Sequence, residues 1–313
     1  MPASLRALLE QLIDYAGLFP PASLPLEPAL RNYAAYRGGP DAWMLGRFLC
    51  PASRLAELDP LVPLFAAGPP LALTVIARRA PAIAAAPGDL SADLARLHAL
   101  RARHGPVVAA EVLELPLPPG PPGAILATAT ELARAAGLRL FCEPAVHPAE
   151  PGWEEAVHAT VAALAAHNAC GGPPAGLKLR AGGVTADAFP SPDQLAAALV
   201  AARDAGLALK CTAGLHHPFR QYRAEVATPM HGFVNVFVAG ILAHLHGLQA
   251  AEVAAILADE DPGSFRFADD GLAWRELVAP TAEVARLRAE ALIGYGSCSF
   301  DEPRDDLRAL RIL

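Results

Sequence analysis

Short apolar runs of β type alternate with Ala/Leu-rich helical segments along most of this chain, and that alternation limits the fold more than any other feature. The runs are 43–50 (WMLGRFLC), 71–77 (LALTVIA), 107–115 (VVAAEVLEL), 138–144 (LRLFCEP), 175–181 (AGLKLRA), 207–213 (LALKCTA), 264–270 (SFRFADD) and 293–300 (IGYGSCSF). Helix signals stand between them. Ser191-Pro192-Asp193-Gln194 offers an N-cap, a first-turn proline and a capping-box glutamine, and the segment it opens stops at Gly206. Ser91 and Gly105 bracket a second helix, and Gly137 ends a third. Eight strands, each followed by a helix, predict an α/β protein of the (β/α)8 TIM-barrel type. A doubly wound sheet usually has fewer strands and a Gly-rich first turn, and neither GxGxxG nor a P-loop occurs here.

Two additions to a minimal barrel are expected. Residues 1–42 read as an N-terminal helical extension, with helices near 3–16 and 27–37, that caps one mouth or reaches another subunit; 43–313 is then the barrel, in a single domain overall. After the sixth run comes HHPFRQYRAEVATPMHG, polar and without period, followed by helices near 232–246 and 249–259 before the seventh strand. Long irregular segments in compact domains usually carry function, so residues 216–231 read as a lid over the barrel mouth.

Composition narrows the function. Of 313 residues 53% are hydrophobic and 18% charged, enough to bury a large core, and the net charge of -7 comes without a basic cluster. Nucleic acid and anionic membrane are therefore excluded as expected partners. The five cysteines are scattered and lack CxxC spacing, which suits a reducing compartment better than a disulfide framework or zinc cage. The N-terminus leads into an amphipathic segment and not an apolar signal core, so the expectation is a cytoplasmic protein. Ala-rich helices favour a homo-oligomer.

Among 25 basic side chains only Lys178 and Lys210 are lysine. Arginine serves for charge and solubility, but it does not lose its proton near neutral pH and is no nucleophile, so a surviving lysine asks for a reason. The bland reason is simple anion binding. Both lysines follow a leucine inside a β-type run. Lys178 and Arg180 share one strand face, as do Lys210 and Thr212, and all four are expected to point into the barrel. Glu111, Glu143 and Arg47 are further charges within apolar strands. Buried together, such groups either pair as an ion network or perform chemistry. A cation beside an ammonium lowers its pKa and leaves a nucleophilic amine that forms an imine with a ketone or aldehyde. On this reading Lys210 is the nucleophile, Lys178 depresses its pKa, and Glu111 or Glu143 moves protons. Of the adjacent His216 and His217 one faces the site as acid or base; Arg180 and Arg220 hold an anionic group, and Thr212, His217 and Ser297 contact substrate.

The run Lys210-Cys211-Thr212-Ala213-Gly214 is similar to the Lys-x-Thr-x-Gly context of the reactive lysine in Schiff-base (class I) aldolases such as deoxyribose-phosphate aldolase, where that lysine lies on the sixth barrel strand. Lys178-Leu179-Arg180-Ala181-Gly182-Gly183 resembles the Lys-x-x-Gly-Gly run around the family's second lysine. The resemblance spans residues 178–214 and implies a carbon–carbon lyase that needs no cofactor. In the family the second lysine follows the reactive one, on strand seven, and the strand-three acid/base group is an aspartate; here Lys178 precedes Lys210, and Glu111 is the nearest carboxylate.

The expected function is thus an aldolase or decarboxylase acting on a small anionic carbonyl compound. One alternative is a divalent-metal-assisted lyase or isomerase with ligands such as Glu143 and His216 and with the lysines binding anions. The other is a barrel that binds a small molecule without catalysis.

Overall fold

The computed structural model describes residues 1–313. The chain opens with α1 (Ala3–Leu9), then β1 (Ile13–Tyr15), α2 (Leu26–Arg37), β2 (Leu45–Pro51), two short 3₁₀ turns, β3 (Leu71–Ile76), α3 (Ala86–His104), β4 (Val108–Pro116), α4 (Leu126–Ala135) and β5 (Arg139–Glu143). It continues through α5 (Trp153–Ala169), β6 (Ala175–Arg180), α6 (Pro192–Asp204), β7 (Leu209–Thr212), β8 (Gln221–Arg223), β9 (Thr228–Met230), α7 (Phe233–His246) and α8 (Ala250–Ala258). After β10 (Phe265–Phe267), β11 (Gly271–Trp274), β12 (Leu277–Pro280) and α9 (Thr281–Glu290), the strand β13 (Leu292–Ser297) and α10 (Asp301–Ala309) finish the fold.

Strands β1 to β7 and β13 pair in parallel and close on themselves, β13 lying between β7 and β1. This is a TIM-type (β/α)8 barrel. Closure leaves no edge strand, and the helices bury the outer face of the sheet. The capping box is formed as the sequence implies: the Ser191 hydroxyl accepts from the Gln194 N–H at 3.2 Å, and the Gln194 side chain accepts from the Ser191 N–H at 2.8 Å. Helix α7 is buried on every face, since Phe233 through Ala243 are all buried and Asn235 is the one polar side chain among them. No helix is long and apolar enough to cross a membrane.

Three expectations are corrected. The first barrel strand is Ile13–Tyr15, so residues 1–42 are part of the barrel and not an extension; α1 ends at Leu9, where a helix to 16 was expected. The run 264–270 is not a barrel strand. Its residues Phe265–Phe267 form one edge of a three-stranded antiparallel sheet, β10-β11-β12, inserted before α9. The missing first strand and the surplus one cancel in the count, which moves Lys178 to the sixth barrel strand and Lys210 to the seventh.

The segment after β7 is also more built than a lid. Its middle folds into the β8-β9 hairpin, while Phe219, Met230 and His231 are buried at its two ends. The His231 ring bonds the Pro190 carbonyl at 2.7 Å, and the Phe233 N–H donates to the His217 carbonyl at 2.9 Å. Of residues 216–231, only His216 lines the cavity at the carboxyl ends of the strands.

Candidate active site

A chain of alternating charges crosses the barrel interior. The two lysines sit side by side in register, Lys178 opposite Lys210 on β6 and β7. Their ammonium groups do not face each other, because a glutamate lies between them. Lys210 Nζ is 2.6 Å from Asp14 Oδ2 and 2.7 Å from Glu114 Oε1. Glu114 Oε2 is 2.7 Å from Lys178 Nζ, which is 3.0 Å from Glu143 Oε2. Glu143 Oε1 accepts from Arg180 at 2.7 Å. Asp14 comes from β1, Glu114 from β4 and Glu143 from the end of β5. Asp14 Oδ1 is also fixed by the Arg47 N–H at 2.6 Å.

This arrangement reverses the expected pKa argument. Burial disfavours charge on Lys178, but Glu114 and Glu143 outweigh it and raise the ammonium above its ordinary pKa. Burial likewise opposes charge on Lys210, and Asp14 and Glu114 raise it. On the acid side the two lysines hold Glu114 low against burial, and Lys178 with Arg180 hold Glu143 low, at about 2. Lys178 does not depress Lys210, because a carboxylate sits where their repulsion would act.

Above this chain lies a cavity of about 420 Å³, open at the carboxyl ends of the strands, the end where ligands bind in this fold. Lys178, Glu143, Arg180 and Thr212 form its polar floor and wall, with Arg79, His147, His216 and Cys298 around the mouth. Lys210 does not reach it. That side chain is 1% exposed, enclosed between Asp14, Glu114 and the Phe141 ring. His147 has a lowered pKa because burial and the nearby Arg180 disfavour its protonation. In His216, burial works against the proton, but the Cys298 sulfur at 3.9 Å and the Glu302 carboxylate at 3.0 Å outweigh it and push the pKa to about 9.

The glycines of both lysine runs act at this mouth. A Cβ on Gly214, whose φ is +73°, would come within 2.7 Å of the Gly182 Cα and 2.8 Å of the Phe189 ring. Close approach of the loops after β6 and β7 therefore depends on both glycines.

Several expected site residues fall elsewhere. Glu111 is the extra residue of a β-bulge, since Leu73 pairs with Ala110 and Thr74 with Val112. It is solvent-exposed and binds Arg47 at 2.6 Å, while Glu114 supplies the interior carboxylate. His217 does not line the cavity and reaches Asp306 Oδ2 at 2.5 Å, but the two histidines do not face opposite ways: their ring centroids are 6.4 Å apart and both approach Glu302. Arg220 points to His231 and Glu260, outside the cavity. Ser297 is buried and its hydroxyl accepts from the Ser299 N–H, without lining the cavity. The ligand pair considered for a metal does not fit: Glu143 is committed to Lys178 and Arg180, His216 to Glu302, and no three His, Cys, Asp or Glu side chains are grouped to hold an ion. Asp14, Glu114, Arg79 and His147 were missed. Glu114 carried a signal, a carboxylate inside an apolar run; Asp14 had none once its strand went unread.

No known protein family matches the chain, and no curated protein matches it by sequence. Among solved structures it is similar to an engineered protein, at 12% identity with a TM-score of 0.47, over 84% of this chain and 79% of that one. It is also similar to a double mutant of the Cellulomonas fimi endo-beta-1,4-mannanase, at 12% identity with a TM-score of 0.45, over 84% of this chain and 80% of that one.

Proposed function

We propose that the protein is a carbon–carbon lyase of aldolase type acting on a small anionic carbonyl compound, with Lys178 rather than Lys210 as the imine-forming amine. One observation carries this reading: Lys178 is the only lysine that lines the cavity, with two carboxylates at 2.7 and 3.0 Å from its ammonium. Its strand also agrees with the position of the reactive lysine in the aldolase resemblance, the sixth barrel strand, while the motif similar to that lysine's context is the one at Lys210 on the seventh.

The raised lysine pKa is a cost this chemistry must meet, because the neutral amine has to form before it can add. The resting ammonium passes a proton to Glu143 as the carbonyl carbon arrives, and the neutral amine adds to it. The carbinolamine takes that proton back on its hydroxyl and loses water. The resulting iminium keeps a positive charge at the same nitrogen, so Glu114 and Glu143 still stabilise it by charge, although its single N–H can donate to only one of them. The iminium then accepts the electron pair of the adjacent carbon–carbon bond as it breaks. His147, uncharged at neutral pH, takes the hydroxyl proton of the departing carbonyl fragment. Protonation of the enamine and hydrolysis restore Lys178.

The raised pKa of Lys178 also favours a second reading, in which the lysine stays an ammonium and polarises a carbonyl without a covalent bond. Borohydride reduction in the presence of pyruvate or acetaldehyde, followed by peptide mass mapping, separates the two. A reduced adduct on Lys178, lost in Lys178→Arg, is expected; its absence with every carbonyl tried, or an adduct confined to Lys210, overturns the imine.

A further inference from the structure

We infer that Arg79 is the ligand-anchoring residue of this cavity and that the anionic group it takes is a single carboxylate, which makes the substrate a small oxo-monocarboxylate and not a phosphate ester. The carbonyl part of this statement rests on the imine reading above; the carboxylate part does not. Every other cation lining the cavity already has a carboxylate partner: Lys178 has Glu114 and Glu143, Arg180 has Glu143, and His216 has Glu302. Arg79 has none. Its guanidinium makes one hydrogen bond, from Nη1 to the Ala145 carbonyl at 2.8 Å, which ties the loop after β3 to the loop after β5 and leaves its other N–H groups free.

The pairing of these charges then selects the ligand. Asp14, Glu114 and Glu143 balance Lys210, Lys178 and Arg180, and Glu302 balances the His216 imidazolium. His147 is held uncharged by burial and by Arg180. Arg79 is left as the one rim cation with no carboxylate in contact, the nearby Glu150 being bound to the His147 N–H at 3.0 Å. A carboxylate neutralises Arg79 and matches the guanidinium fork with two parallel hydrogen bonds. A phosphate monoester brings about 1.5 to 2 negative charges and leaves the surplus near Glu143. Leu49, Ile76 and Val184 give the cavity an apolar wall against which a carbon chain can lie.

The test uses lactate, which has the carboxylate but no carbonyl, with lactamide and inorganic phosphate as controls, each titrated calorimetrically into the full-length protein. Lactate should bind, lactamide and phosphate more weakly. Arg79→Gln should weaken lactate by about 10- to 100-fold, the effect of losing a charge-assisted pair of hydrogen bonds, while Arg79→Lys recovers part of the loss. Arg79 is exposed, so both variants should keep the wild-type Tm. Lactate affinity unchanged in Arg79→Gln, tighter binding of phosphate than lactate, or no binding of lactate to the wild type overturns the assignment. None of these readings needs an imine, so failure of borohydride trapping and failure of the carboxylate site are separate results.

Discussion

Glu114 is the residue on which the interior charges depend, because it alone touches both ammonium groups. Glu114→Gln leaves two buried cations sharing what their outer carboxylates supply, and breaking a buried pair in this way costs about 3–5 kcal/mol. Glu111→Gln removes only an exposed partner of Arg47, and it should cost less than about 1 kcal/mol. Denaturant midpoints of the two variants test this directly; similar losses would show that the charge chain does not hold the barrel together. Charged residues inside apolar runs were legible in the sequence, and four of them, Lys178, Arg180, Lys210 and Glu143, belong to the interior charge chain, whereas Glu111 and Arg47 pair outside it. Which of two glutamates in one run faces the centre was not, since a one-residue bulge changes the alternation. Cysteine reactivity is sorted by the same burial. Burial pushes the thiols of Cys50, Cys142 and Cys211 up to about 12, whereas Cys170 is exposed and Cys298 lines the cavity beside a cationic imidazole. Iodoacetamide should therefore label Cys170 and Cys298 in the native protein, and labelling of the other three before unfolding would contradict their placement.

At the level of elements, alternation of runs and helices was enough to read the barrel, because each barrel strand of four to nine residues left a hydrophobic signature and several helices a cap or a stop. Strand β1 left none. It has three residues, one of them a charged aspartate, and it follows α1 and precedes a proline-rich loop in the chain, so period alone could not find it. The antiparallel sheet before α9 misled in the other direction: Phe265–Phe267 alternates as a half-buried strand does, and alternation does not say which sheet a strand joins. The loops after β6 and β7 were marked by their glycines, and there the reason is steric. Gly214→Ala places a methyl against the Gly182 backbone and adds the strain of a positive φ, so it should lower stability by about 1–3 kcal/mol and widen the cavity mouth. Gly206→Ala, also at positive φ but with nothing near its Cβ, isolates the backbone term. If the two variants lose equal stability by thermal melting, the loop contact contributes nothing.

Over the whole molecule, titration of buried groups sets the pH at which the fold is most stable, and the signs can be worked through group by group. His216 has its pKa raised from 6.5 to about 9 by Cys298 and Glu302 against the cost of burial, so its stabilisation is complete below 6.5 and disappears as the pH rises through 9. His231 lies in the opposite case. Burial first, and Arg220 after it, lower its pKa to about 4, so the unfolded chain takes up a proton that the folded one refuses, and stability falls as the pH drops from 6.5 toward 4. Glu143, held at about 2 by Lys178 and Arg180 although burial opposes it, extends the acid limb: its contribution is present above 4.5 and is lost between 4.5 and 2. Raised pKa values at Lys178 and Lys210 keep the interior charges intact across this range. Stability should therefore peak near pH 6.5 and decline on both sides, which Tm measured from pH 3 to pH 10 will show. His216→Asn should flatten the alkaline limb between 6.5 and 9 and leave the acid limb in place. A Tm that keeps rising through pH 9 in the wild type, or an alkaline limb that survives in His216→Asn, would mean that the imidazolium held by Glu302 at the cavity mouth is not what ties stability to pH.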